Sequence, residues 1–365
     1  MLDAIRQARE SIELETYIFA ADETGRRVRE ALIEAANAGV RVRLLVDAFG
    51  SFNLSGDFFA PLIAAGGQVH FFNPLRFSRF GVRDHRKLLV CDDRMVFIGG
   101  ANISDSYDGD GVTHGWFDLM IRMENKGLAI RLREEFEQLA SNADFVRRRL
   151  RKLRAFRRFR RTPEDGPKLF VVRPGRGISA FQRALQHELT HASSADFILP
   201  YFLPNRRLRK RLGQIARRGG RVRLILPAHC DVPLARTAGL VFYSRLLRSG
   251  VEIYEYQPQI LHAKLYLVDD RVFVGSANLD VRSAKLNYEL MLEFSGTAEV
   301  AGAQEIFSGA LEHSRRIMLE KFRHSQTYWQ RWKNHWAHFL LARIDPLIAL
   351  RQLDSIPQPA AKPDR

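Results

Sequence analysis

The chain has 365 residues, 46% of them hydrophobic, which suffices for one large or two ordinary cores and excludes whole-chain disorder. Two cysteines, Cys91 and Cys230, exclude a disulfide framework or a cysteine-rich metal site and fit a reducing compartment. A net charge of +16 calls for an anionic partner, whether nucleic acid, an anionic membrane surface or a phosphorylated substrate, and charge alone does not choose among them.

In chain order, "MLDAIRQARES" reads as an amphipathic helix and not a secretion signal. Ser11–Asp47 gives strand, polar turn, amphipathic helix, glycine stop and strand; Val28, Leu32 and Ala35 share the helix face, and Gly39 closes it. "AAGGQVHFFNP" adds a short strand with a proline exit. "KLLVCDDRMVFIGG" then reads as a hairpin turned by Asp-Asp-Arg, followed by "GGANIS" and the strand "WFDLMIRM". Arg147–Arg161 holds ten basic residues in fifteen, with Leu150, Leu153, Phe156 and Phe159 every third position, which allows a cationic amphipathic helix or a solvated linker.

The same order then returns. Ser194–Ala228 repeats strand, helix and strand, with Leu208, Leu212 and Ile215 on one face and Gly220 as the stop. "RSGVEIYEYQP", the hairpin "KLYLVDDRVFVGS", "GSANLD" and "NYELMLEF" follow. The second half is preceded by an extra strand, "KLFVVRP" (Lys168–Pro174), whereas the first half opens inside the equivalent helix. The expectation is a strand missing before Met1, the alternative a genuine asymmetry. Beyond the repeat, Trp329, Trp332, Trp336 and Leu340 follow helical spacing beside Arg331, Lys333, His335 and His338, a pattern suited to a membrane interface or to a helix docked on the core. The tail "SIPQPAAKPDR" reads as disordered. The division expected is a first lobe over 1–146, a basic linker over 147–166, a second lobe over 167–323 and a helix with tail over 324–365. Alternating strands and helices predict α/β lobes with mixed, mostly parallel sheets. No uninterrupted apolar run approaches the roughly 18 residues of a spanning helix.

The chemistry-bearing residues come in two sets. His85 and Lys87 stand two apart, so on an extended segment they face the same way, and so do His262 and Lys264. An imidazole beside an ammonium suits an anionic ligand: lysine holds oxygen while histidine attacks or carries a proton. Asn102, Ser276 and Asn278, in glycine-containing segments, are candidates to hold phosphate oxygens. Asp118 and Glu289 are candidates to bond imidazole Nδ1–H and leave Nε2 free. Asp92 and Asp269, at the hairpin tips, read as turn-forming or lysine-pairing residues. No metal and no other cofactor is expected.

These residues resemble the phospholipase D superfamily, whose signature is His-x-Lys-x4-Asp followed by Gly-Gly/Ser-x-Asn. "LETYIF", "HRKLLVCDDRMVFIGGANIS" and "GSANLDVRSAKLNYEL" are most similar to cardiolipin synthases without N-terminal membrane spans. The resemblance spans nearly the whole chain. It implies two lobes about a pseudo-twofold axis and one active site built from both motifs, in which Asp92 and Asp269 complete the catalytic set with His85, Lys87, His262 and Lys264. It implies transfer of a phosphatidyl group through a phosphohistidine, with His85 favoured as nucleophile and phosphatidylglycerol as donor and acceptor. The implied partner is an anionic phospholipid surface, with the protein peripheral on the cytoplasmic side and no stable nucleic acid partner. Hydrolysis of phospholipid or nucleic acid by the same site is the alternative. A non-catalytic scaffold fits poorly, because both motif sets are complete.

Overall fold

The computed structural model describes residues 1–74, 81–141, 166–175 and 177–341. The expected linker helix around Arg147–Arg161 and the C-terminal tail lie outside the described residues. The strands are β1 (Ser11–Thr16), β2 (Arg41–Asp47), β3 (Gln68–Phe72), β4 (Arg83–Asp84), β5 (Leu88–Cys91), β6 (Met95–Gly99), β7 (Met120–Glu124), β8 (Lys168–Val172), β9 (Ser194–Ile198), β10 (Arg221–Pro227), β11 (Glu252–Tyr256), β12 (Leu265–Val268), β13 (Arg271–Gly275), β14 (Asn287–Phe294) and β15 (Ser314–Arg316). The helices are α1 (Leu2–Gln7), α2 (Glu23–Asn37), α3 (Ala60–Ala64), α4 (Lys126–Ala140), α5 (Ala180–Glu188), α6 (Arg206–Arg217), α7 (Pro233–Gly239), α8 (Tyr243–Arg248), α9 (Val281–Lys285), α10 (Thr297–Glu312), α11 (Leu319–Ser325) and α12 (Tyr328–Phe339).

One sheet runs β3-β2-β1-β5-β6-β7 and the other β15-β11-β10-β9-β12-β13-β14. In each, the strand–helix–strand half pairs in parallel, β1 with β2 and β2 with β3, β9 with β10 and β10 with β11. Beyond β1 and β9 the motif hairpins continue antiparallel. The sheets are mixed, but the parallel majority expected is not found among the described strands. A hairpin contributes two antiparallel neighbours where a crossover helix contributes one parallel pair. The extra strand β8 pairs antiparallel with β14.

The repeat is kept in packing detail. Glu13 and Arg43 oppose each other across β1 and β2 and pair at 2.7 Å; Asp196 and Arg223 do so across β9 and β10, with two contacts of 2.8 and 2.5 Å. Arg43 then lies over Phe136 of α4 and Arg223 over Phe307 of α10, at 5.4 and 4.6 Å. Both carboxylates are nearly fully buried, so each arginine offsets a desolvation cost while its planar group covers an aromatic ring. Residues α2 and α6 turn inward include those anticipated: Val28, Leu32, Ala35 and Leu208, Leu212, Ile215. Asp22 and Asn205 cap these helices by accepting from Gly25 and Leu208. Gly39 is left-handed at φ +86°, as a helix stop requires. In the second half the left-handed residue is Gly219 (φ +88°), one position before the expected Gly220; a Cβ on Gly220 would stand 2.5 Å from the Ser193 carbonyl.

A central core joins the lobes. Leu88, Val90 and Ile98 of the first sheet share one apolar cluster with Leu265, Leu267 and Val274 of the second, together with α4 and α10. Each such buried side chain contributes about 1.5–3 kcal/mol. The short strand β4 crosses between lobes and pairs in parallel with the start of β14. Among the described residues, no helix is long and apolar enough to cross a membrane.

The hairpin tips are fastened by their aspartates. Asp92 is left-handed (φ 56°), and its carboxylate accepts the Arg9, Glu10 and Ser11 amides at 2.8–3.1 Å. Asp269 (φ 47°) accepts the Ser193 and Ser194 amides and the Ser194 hydroxyl. Aspartate tolerates this conformation better than most residues. Both aspartates tie a hairpin to the start of its neighbouring strand. They leave the catalytic set and do not pair with lysine, because a four-residue strand of about 13 Å separates each tip from its histidine and lysine. Asp92→Ala and Asp269→Ala should therefore each lower stability by about 1 kcal/mol. Urea midpoints unchanged for both variants would remove this anchoring role.

Candidate active site

Two cross-lobe contacts build the site. Asp84 pairs with Tyr288, and the His85 amide donates to the Tyr288 carbonyl at 3.0 Å. Phe117 bridges in parallel to Leu261, and the His262 amide donates to the Phe117 carbonyl at 2.8 Å. In each case the next residue along one lobe is a histidine and along the other a carboxylate. His85 Nδ1 thus lies 3.0 Å from Glu289 Oε2, and His262 Nδ1 2.6 Å from Asp118 Oδ2. Each histidine is held by the opposite lobe's carboxylate, a pairing that spacing within either half does not show.

The two carboxylates are held differently. Glu289 accepts from Ser276 Oγ at 2.6 Å, Ser283 Oγ at 2.9 Å and Asn287 Nδ2 at 3.3 Å, besides its histidine. Asp118 accepts the Leu119 amide at 2.8 Å and has Lys264 Nζ 4.0 Å away. The position matching Ser276 in the first lobe is Gly100. A Cβ there would stand 2.1 Å from Asp118 Oδ1, so the glycine makes room for the carboxylate.

Burial sets the charge states. It pushes His85 below its ordinary pKa, with the Glu289 carboxylate opposing. His262 is pushed down to about 4, first by burial and then by the Lys264 ammonium, against the pull of Asp118. Burial works to raise both carboxylates, but the facing histidines and lysines outweigh it and hold them below the usual range. At neutral pH the site therefore holds two neutral imidazoles on two ionised carboxylates. Each Nδ1–H donates to its carboxylate, leaving the Nε2 lone pair free. Lys264 Nζ also comes within 2.8 Å of His262 Nδ1, but that nitrogen's proton is committed to Asp118. The ammonium donates instead to the His262 carbonyl.

Lys87 donates to the His85 carbonyl at 2.8 Å and lies 5.2 Å from the Tyr17 ring centre. Burial depresses it to about 7, Glu289 opposing and Lys264 adding to the depression. Charges of either lobe thus act on groups of the other, which makes the two motif copies one site. An anionic ligand would raise the proton affinity of both lysines.

The phosphate-binding assignments change. Ser276 Oγ donates to Glu289 and accepts the Leu290 amide at 3.0 Å, so it positions Glu289 and is no longer a phosphate candidate. Asn102 accepts the Ile18 amide through Oδ1 and donates through Nδ2 to Tyr107 Oη, leaving one amide proton for a ligand. Asn278 is buried, and its Oδ1 has no hydrogen-bond partner among the described residues.

Several site residues had no assigned role in the sequence. Tyr17 packs on His85 with ring centres 5.0 Å apart; Tyr107 and Trp116 flank His262 at 5.5 and 5.6 Å. Arg86, the middle residue of the first motif, is wholly buried, donates to Glu15 and stands 3.4 Å from Asp84. Asp47 accepts the Asp84 amide at 2.9 Å, one residue before His85. A signal existed for Tyr17 and Trp116, since both adjoin motif segments. Arg86 and Asp47 carry no pattern that separates them from surface charges.

Two predictions follow from this arrangement. His262 has a folded pKa near 4 against an ordinary 6.5, so on acidification the unfolded chain takes the proton first. The stabilisation is whole above pH 6.5 and lost as pH falls towards 4, by up to about 3 kcal/mol. His262→Gln should flatten the change in urea midpoint between pH 7 and pH 5; a slope equal to that of the unaltered protein would contradict the shift. Gly100→Ser should displace Asp118 and lower turnover at least ~100-fold with the fold retained, read from steady-state rates beside circular dichroism.

Comparison with known proteins points the same way. Residues 1–140 and 185–311 match the family model described as cardiolipin synthase, PLD-like domain. The chain is 32% identical to cardiolipin synthase B of Salmonella typhi, over 99% of this chain and 90% of that protein. It is 31% identical to cardiolipin synthase 1 of Bacillus anthracis, over 88% of this chain and 66% of that protein. In fold it is similar to the crystal structure of phosphatidylserine synthase from Haemophilus influenzae Rd KW20, with a TM-score of 0.71, 15% identity, and 96% and 92% of the two chains covered. With two motif copies meeting in one site and this likeness running along both lobes, the chain belongs to the cardiolipin synthase family of phospholipase D-like enzymes.

Proposed function

We propose that this protein transfers a phosphatidyl group from one phosphatidylglycerol to the hydroxyl of another, forming cardiolipin and releasing glycerol. The observation that carries this reading is the crossed pairing of His85 with Glu289 and of His262 with Asp118 beside two buried lysines. It supplies two imidazoles, one for each end of an in-line displacement.

In the first step the Nε2 lone pair of His85 attacks phosphorus. The bond from phosphorus to the glycerol oxygen breaks, and that oxygen takes a proton from His262 Nε2. His262 is neutral in the free site; the approaching phosphodiester anion raises its proton affinity, so substrate and proton bind together. In the second step an acceptor hydroxyl gives its proton to His262 and attacks phosphorus, and the phosphorus–nitrogen bond returns its electron pair to His85. Lys87, Lys264, Asn102 and Asn278 are assigned to the non-bridging oxygens, where charge must be held through both transition states. Proton transfer of this kind contributes roughly 10²–10⁴-fold. The assignment of His85 as nucleophile follows the family likeness.

The same reading assigns the surroundings. The substrate resides in an anionic leaflet, and a chain of net charge +16 is drawn to one at roughly 1 kcal/mol for each basic residue near the surface. We place the protein peripherally on the cytoplasmic face.

The test is to mix the protein with phosphatidylglycerol vesicles and follow lipids and released alcohol. Cardiolipin with equimolar glycerol is the expected product, lost at least ~10³-fold in His85→Ala and in His262→Ala. Phosphatidic acid in place of cardiolipin would make the enzyme a hydrolase. Cleavage of DNA with no lipid turnover would overturn the lipid reading altogether.

A further inference from the structure

The last helix is built inside out for a helix in water. On α12 the side turned to the protein carries Asn334 and Ala337, both buried, with the His338 ring 5.0 Å from Phe242. Trp329, Trp332 and Trp336 stand on the opposite side at 61%, 51% and 46% exposure. At 3.6 residues per turn the two sets lie close to half a turn apart. The tryptophans are also ordered among themselves: Trp329 and Trp332 stack at 4.8 Å, Trp332 and Trp336 are 5.7 Å apart, and Phe339 continues the row at 5.8 Å. A capping box at Thr327 and Gln330 fixes the helix start. The row is a formed surface, not a set of unrelated exposed rings.

Its place in the fold links it to the active site. Helix α12 packs on α7. The loop leading into α7 carries Asp231, whose carboxylate accepts from Tyr201 Oη at 2.6 Å, and the Tyr201 ring lies 6.4 Å from that of His262. Val232 and Leu234, beside Asp231, are exposed. The corresponding loop of the first lobe follows β2. There Ser51 Oγ donates to the Tyr17 carbonyl at 3.1 Å, beneath the ring that packs on His85, and Phe52 is 65% exposed. Both loops leave the C-terminal ends of parallel strands, the end of the sheets at which the histidines lie. Exposed apolar side chains therefore sit on the loops at this end of both lobes, and α12 packs on the helix that follows the second loop.

Charge selects what covers this end. Helix α6 starts there too, directly after Phe202 and Leu203, with Arg206 and Arg207 exposed. Arg209 lies over the same Phe242 ring that α12 touches, at 4.5 Å. Neither α6 (RRLRKRLGQIAR) nor α12 (YWQRWKNHWAHF) contains an acidic residue. A second copy seated on this side of the second lobe would bring basic residues against basic residues, and the arginine-rich run Arg147–Arg161 carries the same sign. Tryptophan beside arginine and lysine suits the headgroup level of an anionic leaflet, where the ring body is apolar and its edge is wet.

We infer that this end of the molecule, from Phe52 across α7 to the tryptophan row of α12, is the surface that docks on an anionic lipid bilayer, which presents the site mouth to the leaflet. This rests on the lipid reading above and adds the orientation.

The decisive measurement is flotation of the full chain with vesicles of phosphatidylglycerol and phosphatidylcholine in equal parts. The triple variant W329A/W332A/W336A should bind about 10²–10³-fold more weakly, near tenfold for each ring. It should keep its turnover of dispersed short-chain phosphatidylglycerol, which also shows that it folds. In the unaltered protein, tryptophan fluorescence should be quenched by lipids brominated near the headgroup end of the chains. Undiminished vesicle binding by the triple variant, absence of quenching, or a change from oligomer to monomer with binding intact would each overturn the docking surface. Binding and quenching decide the surface, while turnover of phosphatidylglycerol by the unaltered protein decides the enzyme reading, so either is able to fail alone.

Discussion

The active site depends on two short stretches of parallel pairing between the lobes. Asp84 lies beside Tyr288, and Phe117 beside Leu261. Parallel neighbours advance in step, so the following residues, His85 with Glu289 and His262 with Asp118, are brought side by side. Backbone hydrogen bonds therefore fix each active-site imidazole relative to a carboxylate of the other lobe, and neither His85 nor His262 takes its carboxylate from its own lobe. The shared apolar core beneath the two sheets, with α4 and α10, keeps the lobes in that register.

The repeat is close in backbone and unequal in chemistry. Glu289 has three donors besides its histidine, while Asp118 has one amide and the nearby Lys264. A longer carboxylate needs more fastening, and Ser276, Ser283 and Asn287 provide it. A shorter one needs its strand closer, and Gly100 permits that approach. The residues beside each histidine differ likewise, with Tyr17 on one and Tyr107 and Trp116 on the other. Two imidazoles related by pseudo-symmetry thereby acquire distinct surroundings, as suits two different tasks in one displacement.

Buried charge is the cost of this design. The side chains of Lys87, Lys264, His262, Asp118 and Glu289 are withdrawn from water, and Arg86, Glu15 and Asp84 lie buried beside them. Without ligand the balance is met by keeping both imidazoles neutral and depressing the lysines. A phosphodiester supplies the missing negative charge, so the site is electrostatically complete only when filled. The exposed tryptophan row beside the arginine-rich, acid-free α6 is a second mismatch with water, at the molecular surface, and the docking proposed on an anionic bilayer would answer it in the same way.

Much of this was legible in the sequence because it is local. The duplicated His-x-Lys, the hairpins, the amphipathic helices and the helix stop at Gly39 follow from spacing within a few residues, and the family likeness of the motif segments extends them to a fold and a chemistry. The shared site had to be taken from that likeness. What only the tertiary structure decided is long-range: which carboxylate serves which histidine, that Asp92 and Asp269 anchor backbone amides far from the chemistry, that Ser276 supports Glu289, and that antiparallel pairs outnumber parallel ones among the described strands. The side chains involved are separated by 204 residues in one pair and 144 in the other. Sequence periodicity reports which face of its own element a residue occupies. Which element arrives opposite that face is set by strand pairing and core packing over the whole chain, and those decide the partners.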